Sequence, residues 1–152
     1  MLYIDWFESP IGFVEISATD NGVSSVFFVQ KVRERNGNFM TSSAKKQLLE
    51  YFAGTRVNFD LVLEPTGTDF QKSVWKQLQT IKYGQTISYK DVAQKIVNPK
   101  AVRAVGAANG RNPISIVIPC HRVIAASGQL SGYAGGVERK AWLLDHEKKK
   151  DR

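Results

Sequence analysis

The chain changes character once along its length, at Glu64-Pro65-Thr66-Gly67, and periodicity and charge change there together. Upstream, β-branched and aromatic residues come in short runs bounded by turn residues. Downstream, apolar residues recur at the spacing of one helical face. Residues 2–7, 11–17 and 23–29 read as strands separated by Ser9-Pro10 and by Asp20-Asn21-Gly22, a strong turn signal, and predict a small antiparallel sheet. A polar stretch over 33–40 leads into a helix over 41–53, in which Leu48, Leu49 and Phe52 share a face and Gly54 ends the segment. Residues 57–63 supply one further candidate strand. The reading is an α/β chain of the α+β kind, with an N-terminal β-sheet and helix domain over 1–65 and a mainly helical C-terminal domain over 66–152.

After the break, Thr68-Asp69-Phe70-Gln71 has the form of a capping box, and Phe70, Val74, Trp75, Leu78 and Ile81 follow as one apolar stripe. Tyr83-Gly84-Gln85 breaks that helix, and Ser88-Tyr89-Lys90-Asp91 opens a second that runs to about Ile96. Asn98-Pro99 offers an N-cap with proline at the first helical position, which predicts a third helix over 99–109, before Gly110. Two short helices joined by a tight turn form a helix-turn-helix. Residues 115–124 read as an apolar, strand-like stretch interrupted by Pro119, and 126–136 as a glycine-rich loop. A closing helix is expected over 136–147, with Trp142, Leu143 and Leu144 inward.

Charge follows the same division. Residues 1–65 hold six Lys/Arg against eight Asp/Glu, a net of −2; residues 66–112 hold eight against two, +6; residues 113–152 hold seven against four, +3. A positive excess concentrated in the helical portion is the electrostatic footprint of a nucleic-acid binder, while Lys148-Lys149-Lys150 reads as a solvated tail. In a helix-turn-helix the second helix lies on DNA, and Lys100, Arg103 and Arg111 are the cations it would bring. The same helix is rich in small residues from Ala101 to Ala108, which permit either close approach to a groove or tight packing in a core.

No apolar run approaches the roughly 18 residues of a membrane span, and Met1 to Trp6 lack the basic region and apolar stretch of a secretory signal. The cytoplasm is the expected compartment, with no membrane partner. The single cysteine, Cys120, permits no intrachain disulfide and no multi-cysteine zinc site. It lies in Ile118-Pro119-Cys120-His121-Arg122-Val123, beside one of the two histidines. A lone thiol next to an imidazole is a candidate nucleophile, because thiolate is the attacking species and a neighbouring base makes it available. A free cysteine also packs as a small buried hydrophobe.

The unbroken run Ile118 to Val123, preceded by Gly110-Arg111-Asn112-Pro113 and followed by Gly132-Tyr133-Ala134-Gly135-Gly136, resembles the O6-alkylguanine-DNA alkyltransferases, also called methylated-DNA-protein-cysteine methyltransferases. The resemblance covers Phe70 to Glu147, with a weaker match in the N-terminal sheet that includes Ser9-Pro10-Ile11-Gly12. It implies a protein that extrudes an alkylated guanine from duplex DNA and takes the alkyl group onto Cys120. It further implies His121 as a base acting through a bridging water, Glu147 orienting that imidazole, and Tyr89 helping to rotate the phosphate and offering a phenol proton to the guanine ring. Arg103 would enter the base stack as an arginine finger, with Lys100, Ala101, Arg111 and Tyr89 at the DNA surface. Asn112, Val123, Tyr133, Ala134 and Gly135 would line the substrate pocket, and Arg122 would pair within the core. Some relatives place a serine at the position of Ala134, which bears on substrate range.

The implied reaction ends in a thioether with no second cysteine to accept the group, so each molecule reacts once. No metal or organic cofactor is implied, the partner is double-stranded DNA containing O6-alkylguanine, O4-methylthymine is a second candidate substrate, and the protein is expected to be a monomer. Two other readings compete. A lesion-recognition protein of the alkyltransferase-like kind would bind without reacting, but such proteins carry another residue at the cysteine position. A cysteine hydrolase would draw its histidine from a distant part of the chain and would leave the basic helices without a role.

Overall fold

The computed structural model describes residues 1–96, 98, 100–130 and 132–149. It divides into two compact units, Met1–Thr66 and Gly67–Lys150. In the first, strands β1 (Tyr3–Ser9), β2 (Gly12–Ala18) and β3 (Val23–Val29) form an antiparallel meander, with Phe7 opposite Val14 and Val14 opposite Phe28. Helix α1 (Phe39–Ala53) packs across β1 and β2, so the core comprises Val14, Ile16, Val26, Ala44, Leu48 and Tyr51. The central strand is covered on its other face as well. There Glu15 is buried and accepts two hydrogen bonds from Arg33, at 2.8 and 3.0 Å.

Helix α1 begins earlier than its apolar spacing suggests. Asn38 caps it, accepting from Thr41 N at 2.9 Å, while the Thr41 hydroxyl accepts from Asn38 N, so Phe39 and Met40 join the first turn. Residues 57–63 are not a strand. Leu63 makes a single bridge to Val23, and the Asp60 backbone is engaged on both sides by the Gln47 side chain, at 3.0 and 2.9 Å. A side-chain amide has thus taken the bonding groups a ladder would need.

The second unit holds α2 (Asp69–Leu78), β4 (Ile87–Ser88), α3 (Tyr89–Lys95), α4 (Val102–Gly110), β5 (Val123–Ile124) and α5 (Val137–Lys148). Capping boxes at Thr68/Gln71 and Ser88/Asp91 start α2 and α3. Helices α2 and α3 both pack on α4, and Trp75 Nε1 on α2 donates to the Ala108 carbonyl at 2.8 Å inside the core. Helix α4 starts at Val102, not at residue 99. Ala101 is its N-cap, makes no side-chain capping bond, and donates its N–H to the Asn98 carbonyl in a tight turn. The proposed first helical residue, Pro99, lies outside the described residues.

The stretch 115–124 is strand only at β5, which pairs in parallel with β4. Pro119 has no N–H to give a ladder, and the backbone ahead of it folds on itself through two three-residue turns. Val117 N donates to Ser115 O at 2.8 Å around Ile116, and Cys120 N to Ile118 O at 2.7 Å around Pro119. The first turn holds buried Ile116 at φ 73°, a left-handed conformation that costs a β-branched residue on the order of 1–3 kcal/mol. Helix α5 turns Lys140, Leu143, His146 and Glu147 inward, whereas Trp142 and Leu144 are half-buried. No helix among the described residues is long and apolar enough to cross a membrane.

Candidate active site

Cys120 opens a single turn of 3-10 helix, Cys120–Arg122, between the Pro119 turn and β5. All three of its side chains are buried, and the Cys120 residue is 1% exposed. Because β5 pairs with β4, this turn is tied to the start of α3, where Tyr89 sits. The loop ahead of it is fixed by Asn112. That side chain donates to the carbonyls of Ile118 at 2.7 Å and Ile114 at 3.3 Å and accepts from Ile114 N at 3.0 Å. Asn109, on α4, donates to the Cys120 carbonyl itself at 3.2 Å.

Glu147, in the last turn of α5, is the electrostatic centre of the site. Its carboxylate accepts from His121 Nε2 at 2.6 Å, from Arg122 Nε at 2.8 Å and Nη2 at 3.0 Å, and from the backbone N–H of Gly84 at 3.3 Å. Gly84 takes φ 81°, and a Cβ there would sit 3.3 Å from the Glu147 carbonyl oxygen, so the break after α2 requires glycine. Arg122 also donates Nη1 to the Ile81 carbonyl at 2.7 Å.

Burial opposes ionisation of Glu147, but the hydrogen bond from His121 and the hydrogen bonds and charge of Arg122 outweigh it and hold the carboxyl well below the usual range. Burial lowers the pKa of His121 further than Glu147 raises it, so the imidazole is neutral near pH 7. An ionised carboxylate can only accept, which places the ring proton on Nε2 and leaves Nδ1 with its lone pair. Among the described residues no group hydrogen-bonds Nδ1. Burial pushes the Cys120 thiol up to about 11, offset in part by the Asn112 amide, the Lys140 charge and nearby backbone N–H groups. The arrangement is therefore a protonated thiol, an adjacent neutral base and a carboxylate that fixes the tautomer of that base.

The other expected residues fall into two groups. Tyr133 is buried with its ring centroid 6.5 Å from that of His121, and Val123 is buried at the head of β5, its carbonyl already accepting from Lys140 Nζ at 2.6 Å. Ala134 is exposed and Gly135 half-buried. Tyr89 is half-buried, and a Cβ at Gly132, where φ is 67°, would come within 2.9 Å of its hydroxyl. Lys100, Arg103 and Arg111 are exposed at the ends and outer face of α4, along with Ala104 and Ala107, while Val105, Ala108 and Asn109 face the core. Ala101 is half-buried. The small residues of α4 thus divide between an exposed face and a face packed in the core.

Two buried residues escaped the sequence reading. Lys140 sits beside Arg139 in a helix and carries no motif; its burial follows from sharing a stripe with Leu143 and Glu147. Asn109 resembles the other small polar residues that end α4, and its bond to Cys120 O depends on tertiary packing.

Residues 69–149 match the family described as 6-O-methylguanine DNA methyltransferase, DNA binding domain, and residues 2–65 match its ribonuclease-like domain. The chain belongs to this family. The methylated-DNA-protein-cysteine methyltransferase of Methanosarcina acetivorans is 46% identical over 154 aligned residues, covering 96% of this chain and 98% of that one. The crystal structure of the Mycobacterium tuberculosis O6-methylguanine methyltransferase superposes with a TM-score of 0.91 at 43% identity, covering 100% of this chain and 96% of that one. The M. tuberculosis protein in complex with DNA gives 0.87 at 44% identity, covering 95% and 92%. Membership makes this 6-O-methylguanine DNA methyltransferase relative a DNA-binding transferase of direct-reversal repair.

Proposed function

We propose that Cys120 is the acceptor and that the protein removes the alkyl group from O6-alkylguanine in duplex DNA by one irreversible transfer. The observation that carries this reading is the buried line from Glu147 to His121 beside the thiol, with Nε2–H held on the carboxylate and Nδ1 left as the base. His121 takes the thiol proton through a bridging water. The sulfur then attacks the alkyl carbon, the carbon–O6 bond breaks with its electron pair going to the purine, and the released guanine regains a proton. The product is a thioether, which no other cysteine of the chain can accept, so one protein molecule serves one lesion.

A thiol 1% exposed cannot meet a base that remains stacked. The nucleotide must be extruded, at a cost of a few kcal/mol of unstacking. Arg103, exposed on α4 with the small residues Ala104 and Ala107 exposed on the same helix, would occupy the gap, and the exposed Lys100 and Arg111 would hold phosphates. Tyr89 and Tyr133 flank the pocket for the base, with Val123, Ala134 and Gly135 offering backbone groups. O4-methylthymine presents the same alkyl–oxygen bond and is the second candidate substrate. A nucleophile that must stay a free thiol suits a reducing compartment, which places this work in the cytoplasm.

The deciding experiment is intact-mass analysis and peptide mapping after mixing the protein with a duplex that contains one O6-methylguanine. One methyl group on Cys120, and no more than one per protein, is the expected result. Cys120→Ser should bind the duplex and gain nothing; methyl gain in that variant, or binding without transfer by the parent protein, overturns the assignment.

A further inference from the structure

Among the described residues, three buried side-chain polar atoms lack a hydrogen-bond partner: His121 Nδ1, Tyr133 OH and Asn109 Oδ1. All three surround Cys120, since His121 follows it, the Tyr133 ring lies 6.5 Å from the His121 ring, and Asn109 donates Nδ2 to the Cys120 carbonyl at 3.2 Å. The first is the base of the transfer described above, and a phenol can either donate or accept. Asn109, 1% exposed in the last turn of α4, has no part in that reaction. A carbonyl only accepts, so the bond to Cys120 O fixes which way the amide faces and makes the unpartnered atom an acceptor. At the next residue, a Cβ on Gly110 would lie 3.4 Å from the Gly132 carbonyl oxygen. Asn109 therefore stands where α4, the cysteine turn and the loop that carries Tyr133 come together.

We propose that Asn109 is a specificity-determining residue, its Oδ1 accepting a hydrogen bond from the 2-amino group of the extruded O6-alkylguanine. This deepens the proposed function and rests on Cys120 being the acceptor of the alkyl group. A flipped base is read along its Watson–Crick edge. Alkylation of O6 removes the proton from N1, so that edge carries the alkyl–oxygen bond, N1 as an acceptor and the 2-amino group as its one donor. The two ends of one ring edge are about as close as the sulfur and carbonyl of one residue, so a base with its alkyl carbon at Cys120 Sγ brings its amine toward the amide held on Cys120 O. Asn109 and Cys120 are equally buried, 1% exposed each, and a base that reaches the sulfur reaches the depth of this amide. O4-methylthymine has the O2 carbonyl in place of the amine and would set acceptor against acceptor. A site built to bond a donor rejects the analogue lacking it, because its own buried atom then stays unpaired.

Single-turnover transfer is measured on three duplexes of one sequence, carrying at the target position O6-methylguanine, O6-methylhypoxanthine, which is the same purine without the amine, or O4-methylthymine. The parent protein should react with the guanine about tenfold or more faster than with the hypoxanthine. In Asn109→Leu that ratio should fall to near one, and the preference for guanine over O4-methylthymine should narrow by about the same factor. Asn109→Asp, buried as the neutral acid, can donate to the Cys120 carbonyl and keep an acceptor, so it should retain the selectivity of the parent. Loss of the bond to Cys120 O alone slows all three substrates together and leaves the ratios where they were.

No preference of the parent for guanine over hypoxanthine, the parental ratio persisting in Asn109→Leu, or selectivity lost equally in Asn109→Asp and Asn109→Leu would each overturn the proposal in favour of a structural amide. Asn109→Ala carries the same comparison where the leucine does not fold, and failure of both to fold overturns it likewise. If the parent protein transfers no methyl to Cys120 from the O6-methylguanine duplex, it is the acceptor assignment that fails instead.

Discussion

Asn112 uses both ends of its side chain on the loop it begins, so its amide holds the chain that leads into the cysteine turn. Removing the amide leaves the buried Ile114 N–H without its acceptor and takes one of two donors from each of the Ile114 and Ile118 carbonyls, each loss costing about 1 kcal/mol or more. Asn112→Ala is therefore expected to lower unfolding free energy by about 2–4 kcal/mol in urea titration. Its effect on alkyl transfer should exceed its effect on DNA binding, since the Asn112 amide grips the Ile118 carbonyl that closes the turn into Cys120, two residues after Ile116 at φ 73°. At this scale the sequence was most informative where chemistry is local. The adjacency of Cys120 and His121 marks a thiol and base without any knowledge of the fold, whereas Glu147 stands 26 residues from His121 and came to attention through resemblance. Lys140 gave no signal, because a lysine in a helix reads as solvated until the stripe it shares with Leu143 and Glu147 is known to face inward.

Helix α4 carries two kinds of surface, and its outward one makes a specific claim. If Arg103 fills the space left by an extruded nucleotide, Arg103→Ala should slow transfer from duplex DNA at least about tenfold more than transfer from free O6-methylguanine base, since only the duplex reaction bears the unstacking cost. Single-turnover rates on the two substrates measure this directly, and equal slowing removes the finger role. Elements that announce themselves by capping were legible: Thr68 with Gln71 and Ser88 with Asp91 start helices where the pattern places them. Those decided by tertiary bonds were not. Residues 57–63 have strand-like composition, yet Gln47 takes the Asp60 backbone. The stretch after Ser115 is apolar enough for a strand, but Pro119 and Asn112 fold it into turns. Asn98-Pro99 suggested an early start for α4, yet its N-cap is Ala101.

At the level of the molecule, the buried cluster limits the pH range of the second unit from both sides. His121 has its pKa lowered by burial, so below its ordinary value of 6.5 the unfolded chain binds more protons than the folded one and stability falls with pH. Glu147, depressed by its partners, adds to the loss from its ordinary 4.5 downward, as pH falls toward its folded value. Cys120 acts at the other end: its folded pKa is raised, so its contribution is complete below 9.0 and is lost as pH rises toward about 11. Scanning calorimetry should show the melting temperature falling from pH 7 to pH 5, and Cys120→Ser should lose less than the parent between pH 9 and 10. A flat acid limb would mean that the His121–Glu147 pair is solvated in solution. The raised thiol has a further consequence. If each molecule reacts only once, as proposed, every stray electrophile it meets wastes it, and dissolved alkylating agents and peroxides attack thiolates. Kept as a thiol behind a closed surface, Cys120 is chemically patient, so that the number of lesions in the DNA, and not the ambient chemistry of the cell, determines how long each molecule lasts.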